Sequence, residues 1–339
     1  VSNLKKILKS REISSLAFVV FLFLGVGAVN PEFLSVKNIM LCLNGSVVFT
    51  MLAVGIAFVI ITGEIDVSVG ATLGLSAAVS ATLIRDGASW VLAISAALAV
   101  GLVIGLINGL GVVVLKIPSI IMTLGVNGVV RGLCYVYTNG KWVENLPFEF
   151  KALSQATVGN MTWFYLCALV LTIVIYVLLT RTKRGRYFAA VGDNEGGATL
   201  IGIPVGTTRI LGFVLCAVFS AVAGLMYVSR IGFVTPTAGN GYEMKAIAAC
   251  VLGGVSLAGG IGSVIGAALG AIIMASIGRI LVFLQFSSDL DNTITGILLI
   301  TIVVVDALLQ HRAVEKARRE RLTAKTAGSV NTEGGGQHA

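Results

Sequence analysis

The chain has 339 residues, 56% of them hydrophobic and only 12% charged, with a formal net charge of +8 and a mean hydropathy of +0.96. Soluble domains carry about 25% charged residues, so this composition excludes a soluble enzyme, a disordered regulator and a nucleic-acid reader. A polytopic membrane protein is left, and 41 Gly against five Pro suit helices packed at short range.

Apolar runs between polar breaks predict ten helices, at about 13–29, 46–62, 70–84, 90–114, 119–137, 162–180, 210–228, 246–257, 262–284 and 293–309. The runs are continuous rather than alternating, which excludes a transmembrane β-barrel and predicts an all-α integral membrane protein. Residues 1–12 form a short N-terminal segment, 13–310 the transmembrane domain, and 311–339 a polar, Gly-rich tail expected to be disordered. The first run follows Lys5, Lys6, Lys9 and Arg11; at about 17 residues it is long for a signal peptide and reads as a retained anchor.

With ten spans, the basic clusters before the first, in the central loop and after the last lie on one side, together with Lys116. That side holds 16 Lys and Arg; the other holds seven; Arg131 lies inside a span. The asymmetry predicts cytoplasmic N and C termini. No basic region carries interleaved aromatics, so no nucleic-acid partner is expected.

Taken along the chain, the first polar interruption is Gly63-Glu64-Ile65-Asp66-Val67-Ser68-Val69-Gly70, between two apolar runs. In the fourth span Gly101, Gly105, Asn108 and Gly109 share one helical face, which predicts close helix contact with a single amide on it. In the fifth span Thr123, Asn127 and Arg131 recur every four residues as a polar stripe. Polar groups at membrane depth are costly and suggest a functional site; the competing reading is helix–helix hydrogen bonding. Arg131 would either snorkel to the interface or pair with a carboxylate such as Glu243.

Two loops are long. Residues 138–161 carry Trp142, Leu146, Pro147 and Phe148, which suit an interfacial helix, a docking face or a simple interface belt. Residues 181–209 run from basic to small and polar and end at Ile203-Pro204; Asp193 is expected to cap a short helix over 194–201, suited to contact with a soluble partner. Further on, Gly239-Asn240-Gly241-Tyr242-Glu243-Met244-Lys245 precedes an apolar run of 12 residues. Such a run spans about 18 Å, short of the ~30 Å hydrocarbon core. Short, Gly-interrupted segments in both halves suggest discontinuous helices around a central site, with spans 2–5 and 7–10 as an inverted repeat.

Catalytic patterns are missing. There is no phosphate-loop motif, and Leu257-Ala258-Gly259-Gly260, which resembles an ATPase signature, lies between apolar runs and is discounted. His311 and His338 sit near the C-terminal end, and the five Cys form no paired motif, so they read as small buried apolar residues. No catalytic residue, metal or cofactor is expected. Any ATP hydrolysis belongs to another chain. An ion-coupled transporter would want a protonatable residue at mid-span and none is obvious; a scaffold would leave the polar stripes without a use.

The motifs together resemble the simple-sugar ABC importer permeases. Pro118-Ser119-Ile120-Ile121-Met122-Thr123-Leu124-Gly125 with Arg131-Gly132 carries the resemblance, as do Asn108-Gly109, Glu64 to Gly70, Val191-Gly192-Asp193-Asn194, and Glu243 to Ala249 running into Leu252 to Gly260. Residues 140–147 and Ile231-Gly232-Phe233-Val234 look nearest the autoinducer-2 branch, with the ribose and rhamnose branches close by. Many family members have Gly where this chain has Glu64. The resemblance implies an inner-membrane permease that works with a second permease subunit, a cytoplasmic ABC ATPase dimer and a periplasmic or extracytoplasmic solute-binding protein. It implies a path between two permeases, and the polar residues at membrane depth make Asp66, Asn108, Thr123, Asn127, Arg131 and Glu243 the candidates for that path or for the helix contacts lining it. It also implies that the ATPase grips the 181–209 loop, where length, sidedness and small polar composition make Gly192, Asp193, Asn194, Gly202, Ile203 and Pro204 the expected coupling residues.

Overall fold

Helices dominate the computed structural model, which describes residues 11–287, 289–305 and 307–308. The expected tail 311–339 and residues 1–10 of the expected N-terminal segment lie outside the described residues. One compact unit extends to Leu299 and a second begins at Ile300.

Helix α1 (Arg11–Val29) ends at Asn30, whose side chain accepts from Glu32 N and starts a 3-10 turn, Pro31–Leu34. Ser35 then caps α2 (Val36–Gly45) by accepting from Asn38 N. A 45° bend at Ser46 separates α2 from α3 (Val47–Ile61), which is buried on nearly every face and so runs through the centre of the bundle. After a non-helical stretch come α4 (Val69–Arg85), α5 (Trp90–Val113) and α6 (Ser119–Thr138). The second half continues with α7 (Phe148–Gln155), the two-residue strands β1 (Thr157–Val158) and β2 (Met161–Thr162), and α8 (Trp163–Arg181). It closes with α9 (Lys183–Asp193), α10 (Glu195–Leu200), α11 (Val205–Ile231), α12 (Tyr242–Leu252), α13 (Val264–Phe283) and α14 (Leu290–Val305).

Each of the ten predicted runs holds a helix, but they are not ten equal crossings. Among the described residues, six helices are long and apolar enough to span a bilayer, and α2 with α3 makes a seventh if the bent pair is one crossing. Helices α4 and α14 are shorter, and α12 has 11 residues, about 17 Å. An all-α polytopic membrane protein is what results.

The longest helix, α11, lies along α5, α3 and α4 and forms the spine of the first unit. The glycine face read from α5 makes this possible. A Cβ at Gly101 would come 2.6 Å from Ala217 O, and one at Gly105 would come 2.6 Å from Val214 Cα. Side chains there would force the two helices apart, so the spacing of these glycines sets the interhelical distance. Four of the five cysteines are buried as expected; Cys167, on α8, is exposed instead.

The loop 138–161 is ordered against the end of α11. Val143 and Val234 exchange both backbone hydrogen bonds, at 2.9 and 3.0 Å, and the Trp142 and Phe233 rings stack at 5.3 Å. Of the four residues singled out there, Leu146 is buried, whereas Trp142 and Phe148 stay exposed.

Candidate functional site

The stretch 62–68 between α3 and α4 has almost no helical hydrogen bonding of its own, so side chains must organise it. Asp66 Oδ1 accepts from Ser68 N at 2.8 Å and from Ser68 Oγ at 2.7 Å. Asn108, from α5, donates through Nδ2 to the same Ser68 Oγ at 2.9 Å. From α6, Ser119 Oγ accepts from Ile65 N at 3.3 Å and Thr123 Oγ1 accepts from Val67 N at 3.1 Å. Asp66, Ser68, Asn108 and Thr123 are wholly enclosed. The stretch is therefore a backbone held open by five side chains from three segments. Among the described residues, Asp66 Oδ2 and Asn108 Oδ1 have no hydrogen-bond partner.

A second cluster sits where α4 begins. Arg131 donates from Nη1 to Ala238 O at 3.2 Å and from Nη2 to Gly239 O at 3.0 Å, and lies 3.5 Å from Glu243 Oε2. Of the two readings open for Arg131, the structure shows pairing. Gly70 lies directly beneath. A Cβ on it would collide with Glu243 Oε2 and Gly239 O and would sit 3.2 Å from Arg131 Nη2. Helix α12 thus starts against the first turn of α4, with the guanidinium tying α6 to the 238–239 turn and to Glu243 on α12. Asn127 lies on α6 between Thr123 and Arg131; it is half-buried, and its Oδ1 has no partner among the described residues.

A third cluster lies where α9 meets the end of α3 and the glycine-rich turn after α12. Gly260 N donates to Ile61 O at 2.9 Å. A Cβ at Gly192 would collide with that same Ile61 O, and one at Gly260, which has φ of +74°, would come 2.7 Å from Asp193 Cα. Three backbones meet here with no room for a side chain, and the left-handed φ at Gly260 favours glycine a second time. Asn194, not Asp193, caps the following helix: its side chain accepts from Gly197 N at 2.8 Å. The reason is that α9 occupies 183–193, so Asp193 is a last helical residue rather than a cap. Helix α10 then presents Leu200, 89% exposed, and Ile201, 76% exposed, before Gly202 turns the chain at φ of +78° into Ile203-Pro204 and α11.

A family profile described as "branched-chain amino acid transport system / permease component" matches residues 38–303. The chain belongs to that permease family. Among similar curated proteins, the autoinducer 2 import system permease protein LsrC of Enterobacter sp. (strain 638) is 40% identical over 93% of this chain and 92% of its own length. The protein of the same name from Salmonella typhi is 40% identical over 94% of this chain and 92% of its own length. That from Escherichia coli (strain K12 / DH10B) is 39% identical, over 94% and 93%. No solved structure matches.

In the permease, the six residues singled out for a path divide into two groups. Asp66, Asn108 and Thr123 come together around the 62–68 stretch, and Arg131 and Glu243 come together at the start of α12. Asn127 is the member that combines partial exposure with an unpartnered oxygen. Ser68 and Ser119 belong to the first network, and neither was singled out by its own chemistry, although both lie inside quoted motifs. The Leu257 to Gly260 stretch, discounted as a nucleotide motif, holds the glycine contact with α9. Its three small residues, Ala258, Gly259 and Gly260, were the available signal.

Proposed function

We propose that the permease is the membrane-spanning subunit of an ATP-driven importer whose cargo is a small sugar-like solute, with autoinducer 2 favoured. The observation that carries the reading is about 40% identity, end to end, with proteins named for autoinducer 2 import. The chain itself is not an enzyme on this reading. A cytoplasmic ABC ATPase dimer binds at 192–204, where Asp193 and Asn194 are exposed and Leu200 and Ile201 offer apolar side chains to a partner. A second permease subunit, identical or different, completes the path, and a periplasmic or extracytoplasmic solute-binding protein delivers cargo to the opposite end.

In this account the permease lies in the inner membrane with both termini in the cytoplasm, consistent with the 16-to-7 partition of basic residues. Asn127 faces the path. The 62–68 stretch and the 239–245 stretch are the interruptions of an inverted repeat, each braced by α6, and their geometry changes as the transporter alternates between its two states. A polar but weakly charged path suffices because the solute-binding protein supplies selectivity. Competition of labelled autoinducer 2 uptake by ribose and rhamnose, in vesicles holding the full complex, tests the cargo. Autoinducer 2 should be displaced by itself and not by either sugar; stronger displacement by ribose or rhamnose would move the cargo to that branch.

A further inference from the structure

Glu64 has no part in the clusters described so far, yet it is 15% exposed as a side chain and carries a charge next to the buried 62–68 network. Its neighbour is Arg209, in the second turn of α11. Arg209 holds Glu195 in a two-pronged pair, Nη1 to Oε1 at 3.2 Å and Nη2 to Oε2 at 2.9 Å. Its Nε lies 3.3 Å from Glu64 Oε1, an ion pair without an aligned hydrogen bond. One guanidinium, 21% exposed, therefore serves two carboxylates on two segments. Glu195 is the first residue of α10; Glu64 is two residues from Asp66.

From this we infer that Arg209 is a positioning residue that couples α10 to the 62–68 stretch. The inference rests on the reading that the ATPase docks at 192–204. A rigid planar fork suits the task, since it fixes the direction of both pairs at once, whereas an ammonium is a point charge that follows one partner. Glu195 is 57% exposed, so a docking partner can reach it; Glu64 and Arg209 are largely covered, so their pair is less screened by solvent and salt. A displacement of α10 then changes the balance of charge on Arg209 and shifts Glu64. The backbone next to Glu64 is the one that Ser119, Thr123 and Asp66 hold in place.

The test uses the full complex, permease with its ATPase and second subunit, in proteoliposomes. It reads solute taken up per ATP hydrolysed for Arg209→Lys, Arg209→Gln and Glu64→Gln, with a cross-link from Thr199→Cys to the ATPase as a separate readout of docking. Coupling between sites is commonly worth a factor of 5 to 150, so the ratio should fall about fivefold or more in all three variants while the cross-link persists. The charge-swapped triple variant, Glu64→Lys with Arg209→Glu and Glu195→Lys, should recover part of it. Arg209→Lys keeps the charge and so guards against a simple folding defect. An unchanged ratio in Glu64→Gln and Arg209→Lys, with the cross-link present, overturns the coupling role. Absence of the cross-link in a complex altered only by Thr199→Cys overturns the docking reading instead.

Discussion

Removing the Arg131 guanidinium should loosen the junction between α6, α4 and α12. In Arg131→Met, Ala238 O and Gly239 O each lose a donor and the Glu243 carboxylate loses its cation, in surroundings where the two side chains are only 18% and 9% exposed. Hydrogen bonds to charged groups are worth about 1.5–3 kcal/mol each, and breaking a buried pair by removing one partner costs about 3–5 kcal/mol. These overlap rather than add, and the 3.5 Å ion pair is long. A loss of about 3 kcal/mol is therefore expected, a large share of the ~5–15 kcal/mol that holds a typical domain together. The double variant Arg131→Met with Glu243→Leu should recover part of that, because no unpaired carboxylate remains. Arg131→Lys should fall between, since an ammonium cannot address two carbonyls and a carboxylate in one plane. Inactivation half-life of the purified permease in detergent, taken over the unaltered chain, Arg131→Met, Glu243→Leu and the double variant, measures the coupling. Equal half-lives for Arg131→Met and the unaltered chain would refute the bracing role and return Arg131 to a snorkelling side chain.

Three further outcomes follow from the same geometry. Gly192→Leu should impair folding of the permease itself, by at least the ~1–3 kcal/mol of overpacking, whereas Asp193→Lys should leave the fold intact and weaken ATPase association; co-purification yields separate the two. Asn127→Leu should change stability by no more than about 0.5 kcal/mol yet abolish uptake, whereas Asn108→Leu should destabilise by about 1–3 kcal/mol because it releases Ser68 inside the core; thermal shift read beside uptake decides, and preserved uptake in Asn127→Leu removes that residue from the path. Membrane-impermeant thiol labelling in a background lacking the native cysteines should reach Val158→Cys from outside the cell and Thr199→Cys only from the cytoplasm, both positions being exposed; labelling of both from one side would contradict the orientation.

Local periodicity carried much of this fold in readable form. Residues Gly101, Gly105 and Gly109 announced a contact face because small residues at a spacing of four share one side of a helix, and α11 fills that face. The interruptions at 63–70 and 239–245 were visible because polar residues at membrane depth stand out against long apolar runs. Pairings across the chain were not legible. Nothing near Gly192 signals that Ile61 O and Gly260 approach it, so the tight packing of this glycine could not be read from the chain. Likewise, Glu64 and Arg209 are 145 positions apart, and only the fold brings their charges to 3.3 Å. The capping error at Asp193 has a local cause: Asp and Asn are equally good caps, and the choice between them depends on where the preceding helix stops.

The central claim is that ATP hydrolysed on another chain drives solute across this permease. Uptake into proteoliposomes holding the complete complex tests it most directly, with labelled autoinducer 2 outside, its binding protein present and ATP enclosed. Uptake should follow ATP, stop when the ATPase subunit is omitted, and be indifferent to an uncoupler that collapses the proton gradient. Uptake that persists without ATP and disappears with the uncoupler would contradict the account and make the protein an ion-coupled carrier.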